Sequence, residues 1–389
     1  MTLAADPIAP PTPGASTTHV TPGPRFPSTA TRPAIPVVFH RAVGADLFAE
    51  DGRRYLDFSS GAGSLAYGHN NPAVKRSVQQ YLTDGGITYG PDLSTAAERE
   101  FRHAFTEAVL SPRDLDYDVR FCGSGDAVDA ARALAAEATG RRGVITFTGE
   151  DAPGRFDPVG LVERRLSDSG PDSWRPAAVI VEPVDLAGGV RVVPGERLRE
   201  LRELTERHGM LLIADERRSG CGRTGRFFAF EHAGIVPDVV ATAQSWGAGP
   251  PLPMTLVRRG LDVGESARHH GDQLALVAAT AVCELWRSAK FRTDLIVAER
   301  RLARFRAELA GTHPDVVARG LGAVLGLDFA AAGGPGRAAR VHRRAFEDGL
   351  LVELCGRDDA SIALLPPVNI DIVRLDRGLD VLRAALAAA

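Results

Sequence analysis

The sequence predicts an α/β protein, with a mostly parallel central sheet flanked by helices and a small α+β domain beside it. Three observations carry this. Short β-branched runs alternate with helical stretches between residues 118 and 259, which is the spacing that parallel crossovers need and hairpins do not. An alternating apolar–polar segment comes before them, and a mixed helix-and-strand segment follows. At 389 residues the chain can also bury a sizeable core in one large and one small domain.

The elements follow in order. Nine of the first 36 residues are proline and most of the others are Ala, Thr and Ser. That composition buries too little apolar surface to offset its ordering entropy, so 1–36 is expected to be a disordered tail. With neither a basic start nor an apolar core, it does not read as a secretory signal. From residue 37, "VVFHRAVGADLFAEDGRRYLDF" predicts a three-stranded meander that breaks at Gly44 and turns at Asp51-Gly52. Asn71-Pro72 opens a helix as cap and first residue, closing near Gly85. Thr95 and Glu98 form a capping box for a helix to about Leu110.

Strands are then expected at 118–121, 143–147, 177–182, 211–215, 238–243 and 252–259, with helices at 126–139, 157–167 and 196–208. Helices at 273–288 and 291–310 lead into the strands "LGAVLGLDF", "LLVEL" and "SIALLPP", a helix near 336–349 and a final helix. The expected division is 37–65 as the first part of the small domain, 66–290 as the large domain and 291–389 as the rest of the small one.

Composition excludes several functions. A formal charge of −3 offers no basic footprint for nucleic acid. The longest apolar stretch, "LALVAATAVCELW", is too short to span a bilayer. Cys122, Cys221, Cys283 and Cys355 are widely spaced, so they suggest reduced thiols in a cytoplasmic protein and no metal site. Only two of the 46 basic residues are lysines, Lys75 and Lys290. An amine nucleophile can therefore be only one of these or the N-terminus.

In open α/β sheets, ligands sit beyond the carboxyl ends of the strands. Four groups fall there: Gly123-Ser124-Gly125, Glu182, Asp215 and Gln244. Each alone suits a turn or a capped strand end, whereas together in strand order they suggest a cleft.

Several long segments carry a resemblance. "YLDFSSGAGSLAYGHNNPAVK", "GGITYGPDLSTAAEREF", "PRDLDYDVRF", "GCGRTGRFFAFEHAGIVPDVV" and "LLPPVNI" are similar to the class III aminotransferases, and within that family to its diaminobutyrate–2-oxoglutarate transaminases. The resemblance runs from about residue 37 to the C-terminus. It implies the fold-type I aminotransferase fold, pyridoxal phosphate (PLP) as cofactor, and a dimer with active sites at the subunit interface.

Measured against that family, several positions differ. Gln244 stands where the family has the lysine that holds PLP covalently, and an amide nitrogen is neither nucleophile nor base at neutral pH. In "CGSGDAVDAA", Asp126 opens the helix at which the family cradles the phosphate. A carboxylate about 5 Å from a phosphate repels each of its charges by roughly 3 kcal/mol, unless a cation intervenes. The family's aromatic–His ring cover has no match in "FTGEDAPGRFD", and its Gly-Thr-Phe-Arg-Gly run has none in "SARHHGDQLALVAA", where His269, His270 and Asp272 stand.

Asp215 keeps the family's place for the aspartate that protonates the pyridine nitrogen. The family's ring-packing Val and its Gln partner are here Arg217 and Arg218, which suggests an internal ion-pair cluster on Asp215. From these departures the expectation is a homodimer that has lost transamination, binds no PLP and has a non-catalytic or assembly role. The alternatives are a PLP-independent enzyme for a small anionic, amino-acid-like metabolite, and a PLP-dependent transaminase as in the family. For the former, Asp215 and Glu182 would do acid–base work, and Arg217, Arg218, His269 and His270 would contact the anion.

Overall fold

The computed structural model describes residues 37–90, 93–122, 126–147, 157–168, 175–242, 246, 249–264 and 271–389. Among the candidate residues, Gly123, Ser124, Gly125, Gln244, His269 and His270 lie outside the described residues, as does the expected tail, 1–36. Residues Phe39–Ala389 form one compact unit.

The meander is β1 (Phe39–Val43), β2 (Asp46–Ala49) and β3 (Arg54–Asp57), all antiparallel. In helix α1 (Pro72–Thr83) the Asn71 side chain accepts from the backbone of Ala73, and proline fills the first turn, where no amide donor is required. Helix α2 (Ala96–Phe105) is capped by the Thr95 hydroxyl, which accepts from the Glu98 amide. The expected helix to Leu110 ends early, because residues Thr106–Leu110 widen into a π-type turn.

The central sheet collects β4 (Tyr117–Phe121), β5 (Val144–Thr146), β6 (Ala178–Val181), and, after the short hairpin β7 (Val184–Asp185) and β8 (Arg191–Val192), β9 (Leu211–Asp215), β10 (Val239–Thr242) and β11 (Met254–Arg258). Its order is β4-β11-β10-β9-β6-β5. Neighbours β10, β9, β6 and β5 run parallel, while β11 runs antiparallel to both β10 and β4, so the sheet is mixed. Helices α3 (Ala127–Thr139), α4 (Pro158–Asp168) and α5 (Gly195–Arg207) make the crossovers. β6, β9 and β10 are buried along their whole length, as their unbroken apolar runs require in a sheet covered on both faces.

Helices α6 (Gln273–Arg287) and α7 (Ala289–Thr312) follow. The chain then makes β12 (Val317–Leu321), β13 (Val324–Asp328), α8 (Gly334–Glu347), β14 (Leu350–Leu351), β15 (Glu353–Cys355), β16 (Ser361–Leu364) and α9 (Ile372–Ala387). Strands β12-β13-β16-β15 form an antiparallel sheet, and β14 pairs in parallel with β3, joining the two ends of the compact unit. The aromatic core lies under α2 and α6. Phe101, Phe105 and Phe227 surround Trp246 with ring centroids 5.4, 5.3 and 5.9 Å away, in edge-to-face geometry.

Arg223 ties the sequence's "GRTG" segment to both ends of the chain. Fully buried, it donates to the carbonyls of Pro366 and Gly63 at 2.5 and 3.3 Å. Burial pushes its guanidinium down to about 10. Among the described residues no helix is long and apolar enough to cross a membrane.

Candidate functional site

The parallel register sets the site. Val181 pairs with Ala214, so one step further Glu182 stands beside Asp215 at the carboxyl edge of the sheet. On the other side Asp215 pairs with Ala241 of β10, the strand that leads toward position 244. Two carboxyl groups thus share one face at adjacent strand ends, which are about 5 Å apart.

Asp215 is saturated by Arg217. The guanidinium donates from Nε to Oδ1 at 2.9 Å and to Oδ2 at 3.1 Å, and from Nη2 to Oδ2 at 2.7 Å. The Arg217 amide adds a bond to Oδ1 at 3.1 Å. Nη1, the remaining arm, reaches Asp126 Oδ2 at 2.7 Å. Asp126 turns its other oxygen to the start of α3, accepting from the amides of Val128 and Asp129 at 2.7 and 3.3 Å. The helix N-terminus and the strand end are therefore joined through one guanidinium, whose charge is held firmly by those carboxylates.

This geometry corrects the argument that Asp126 would repel a phosphate at α3. A cation does intervene, and Arg217 supplies it.

Arg218 departs from the expected cluster as well. Its Nη2 donates to Glu353 of β15 at 3.0 and 3.3 Å, and its Nε to the Ala62 carbonyl at 3.3 Å. Consecutive residues of the turn after β9 point in different directions, so only Arg217 can return to Asp215. Beside them Asp185 is held by Arg191 across the β7–β8 hairpin, with Nη2–Oδ2 at 2.5 Å. Sequence reasoning missed both pairs. The hairpin's Asp185 and Arg191 were open to detection as opposite charges flanking a Gly-Gly turn.

Glu182 differs from its neighbours. Among the described residues it makes no hydrogen bond or ion pair, although Arg218 and Arg217 are near enough to act on it. Burial, then repulsion from Asp215 and Asp185, pushes its carboxyl up to about 8, against the pull of the two guanidiniums. At neutral pH it carries a proton.

Glu216, the next residue after Asp215, points into the core. Its carboxylate accepts from Ser219 Oγ at 2.6 Å and from the Phe230 amide at 2.9 Å, while complete burial pushes it up to about 7. Its role is to anchor the buried Phe227–Phe230 segment. Asp272 caps α6, accepting from the Ala275 amide at 2.8 Å. Lys75 and Lys290 are exposed on α1 and α7, and Lys290 pairs with Asp294. All four cysteines are buried, and none is joined in a disulfide. No group of three or more His, Cys, Asp or Glu among the described residues is placed to hold a metal ion.

Comparison with known proteins gives concordant matches. The model of the family "Aminotransferase class-III" fits residues 28–150 and 172–386. A diaminobutyrate–2-oxoglutarate transaminase of Streptomyces coelicolor is 39% identical, over 90% of this chain and 93% of its own. An uncharacterised aminotransferase of Sinorhizobium fredii is 37% identical, over 92% of this chain and 89% of its own. Among solved structures, N-acetylornithine aminotransferase from Stenotrophomonas maltophilia superposes with a TM-score of 0.77 at 25% identity, covering 90% of this chain and 96% of its own.

These matches overturn the expectation of a non-catalytic chain without cofactor. Relatives aligned over nine-tenths of both chains carry transaminase names, and they point to amino transfer with PLP. Neither the matches nor the described residues show that activity or cofactor has been lost.

Proposed function

Because the chain belongs to the class III aminotransferase family, we propose that it is a PLP-dependent transaminase that moves an amino group between a diamino acid and a 2-oxo acid. Its fold is the fold-type I aminotransferase fold, with a mixed central sheet and flanking helices. The observation that carries the proposal is the 39% identity to a diaminobutyrate–2-oxoglutarate transaminase across nearly the whole of both chains.

Asp215 and the start of α3 are of the kinds that would hold the group, although Arg217 takes both oxygens of Asp215 and Asp126 caps the helix. Asp215 is a buried carboxylate at the sheet's carboxyl edge that already holds a planar cation, the charge type that a protonated pyridine nitrogen brings. The N-terminus of α3, suited to an anion, lies one guanidinium away, with Asp126 neutralised. Bound there, PLP supplies the aldehyde that takes up an amino group and the ring that withdraws electrons from it. Gln244 forms no covalent bond with an aldehyde, so retention falls to non-covalent contacts at Asp215 and α3. The proton that the family's lysine moves needs another carrier. Glu182, beside Asp215, would take that proton as its carboxylate and return it as its acid, and burial raises its carboxyl to about 8.

Class III aminotransferases are commonly homodimers, and the proposal extends this to the present chain. Leu82 near the end of α1, and Ile87, Tyr89 and Leu93 after it, are exposed, Tyr89 by 84%, and a partner would cover that apolar surface. The small domain is proposed to combine 37–65 with 291–389, a division that the β3–β14 pairing supports.

The test is formation of glutamate from 2-oxoglutarate by the purified chain with added PLP, using L-2,4-diaminobutyrate and then N-acetylornithine as donors. Turnover with either donor supports the proposal; none with both, at enzyme concentrations in the micromolar range, overturns it.

A further inference from the structure

Strand β6 ends one residue before Glu182, and the chain then runs straight onto a different sheet. After Pro183 it makes the β7–β8 hairpin, where Val184 pairs with Val192 and Asp185 with Arg191. The hairpin's Val184, Leu186 and Val190 belong to a hydrophobic cluster separate from the main core. Their companions include Val324, Ala363 and Leu365, on or beside strands β13 and β16 of the antiparallel sheet. The Gly356 amide, just past β15, donates to the Ala187 carbonyl at 2.8 Å.

One residue is held in this seat under strain. Val190 is fully buried with a φ of +58°, a left-handed conformation that a β-branched residue rarely adopts. Such a conformation persists only where the surroundings over-determine it. Its seat is Gly326 of β13. A Cβ built at Gly326 would lie 2.4 Å from the Val190 Cβ, an approach that only glycine permits.

We propose that Val190 is a positioning residue, which plugs the hairpin into the antiparallel sheet and so fixes Glu182 and shields it from water. The inference rests on the reading of Glu182 as the proton carrier.

The link from plug to carboxyl is short. Asp185 lies three residues past Glu182, and the ring of Pro183 fixes one of the torsions between them. Asp185 is tied to Arg191 and accepts from the Gly188 amide at 2.7 Å, so it moves with the hairpin. Among the described residues, the charged groups that act on Glu182 are Asp215 from β9, Asp185 from the hairpin, and Arg218 and Arg217 from the turn after β9. Burial outweighs each of them. A hairpin lifted from its seat admits water to Glu182 and carries Asp185 away. Both changes lower the proton affinity of Glu182.

The test reads the Glu182 carboxyl itself. In the 389-residue chain carrying glutamate labelled with 13C at the side-chain carboxyl, its resonance is identified by its loss in Glu182→Gln. It is then followed between about pH 4 and pH 9. Two variants loosen the seat from opposite sides. Val190→Gly removes the plug and relieves its left-handed strain together, whereas Gly326→Ala places a Cβ against Val190. In each, the midpoint is expected to fall from about 8 by about one pH unit or more, a tenfold loss of proton affinity. Leu386→Ala, a deletion in the main core at the end of α9, should leave it unchanged.

A midpoint unmoved in the hairpin variants overturns the positioning role, and so does an equal fall in Leu386→Ala. The transaminase reading survives either result. If one hairpin variant fails to fold, the other decides. A natural chain whose Glu182 already titrates near 4.5 overturns both the positioning role and Glu182 as proton carrier. Shifted midpoints in a chain without transaminase turnover support the positioning role and overturn the catalytic reading alone.

Discussion

Glu182 and Asp215 end neighbouring parallel strands one register step past the Val181–Ala214 pair, yet only Asp215 is held by a guanidinium. Two like groups side by side cannot both ionise cheaply. Burial first, and then repulsion from Asp215 and Asp185, keeps the proton on Glu182 up to about 8.

That difference makes stability depend on pH. Glu182 and Glu216 both have folded-state values raised above 4.5, to about 8 and about 7. Between those limits the folded chain binds more protons than the unfolded one, so stability falls as pH rises. Their contribution is fully present below pH 4.5 and lost through pH 8. Glu182→Gln should remove its share, on the order of a few kcal/mol. Urea denaturation at pH 5 and pH 8 checks this: the variant should gain on the natural chain at the higher pH.

Glu216 also anchors buried donors. Glu216→Ala would leave Ser219 Oγ and the Phe230 amide without their acceptor in the core. A loss of roughly 2–4 kcal/mol is expected at pH 6. A change under 1 kcal/mol in the denaturation midpoint analysis would show that other groups take over.

Asp238 joins three elements. Almost fully buried, it accepts from Arg202 Nη1 at 2.7 Å, Arg258 Nη2 at 2.6 Å and the Leu212 amide at 2.8 Å. Removing one partner of such a network strands the others, so Asp238→Ala should cost about 3–5 kcal/mol. Asp238→Asn, which retains an acceptor for the Leu212 amide, should cost less. Equal losses in the two variants would mean that the charge, and not the acceptor for the Leu212 amide, carries the network.

Gly378 lets α9 lie directly on Phe58. A Cβ at Gly378 would meet the tip of the Phe58 ring at 2.3 Å, and that ring is fully buried. Gly378→Ala should therefore destabilise by about 1–3 kcal/mol through overpacking. Adding Phe58→Leu should recover part of this loss, and a strictly additive double variant would contradict direct contact as the cause.

The fold was largely legible because it rests on local signals. The Asn71 and Thr95 caps form as their spacing predicts, and each central strand lies within a residue or two of its β-branched run. The hairpin β7–β8 was missed, since two-residue strands give no periodicity to read. The turn from α2 into a π-type segment was missed too, because one extra residue per turn leaves the apolar spacing nearly unchanged.

The site was legible only up to its strand ends. The sequence by itself determined that Asp215 and Glu182 finish strands at the ligand edge of an α/β sheet, and that Arg217 and Arg218 follow. Partner choice was decided by tertiary structure alone. Arg217 reaches Asp126 across 91 residues and Arg218 reaches Glu353 across 135, distances over which no periodicity or propensity carries information. The register between β6 and β9 likewise decided which carboxyl keeps its proton. Strand ends are set by local chemistry, whereas a charge's partner and its ionisation depend on which distant segments folding brings within a few ångströms.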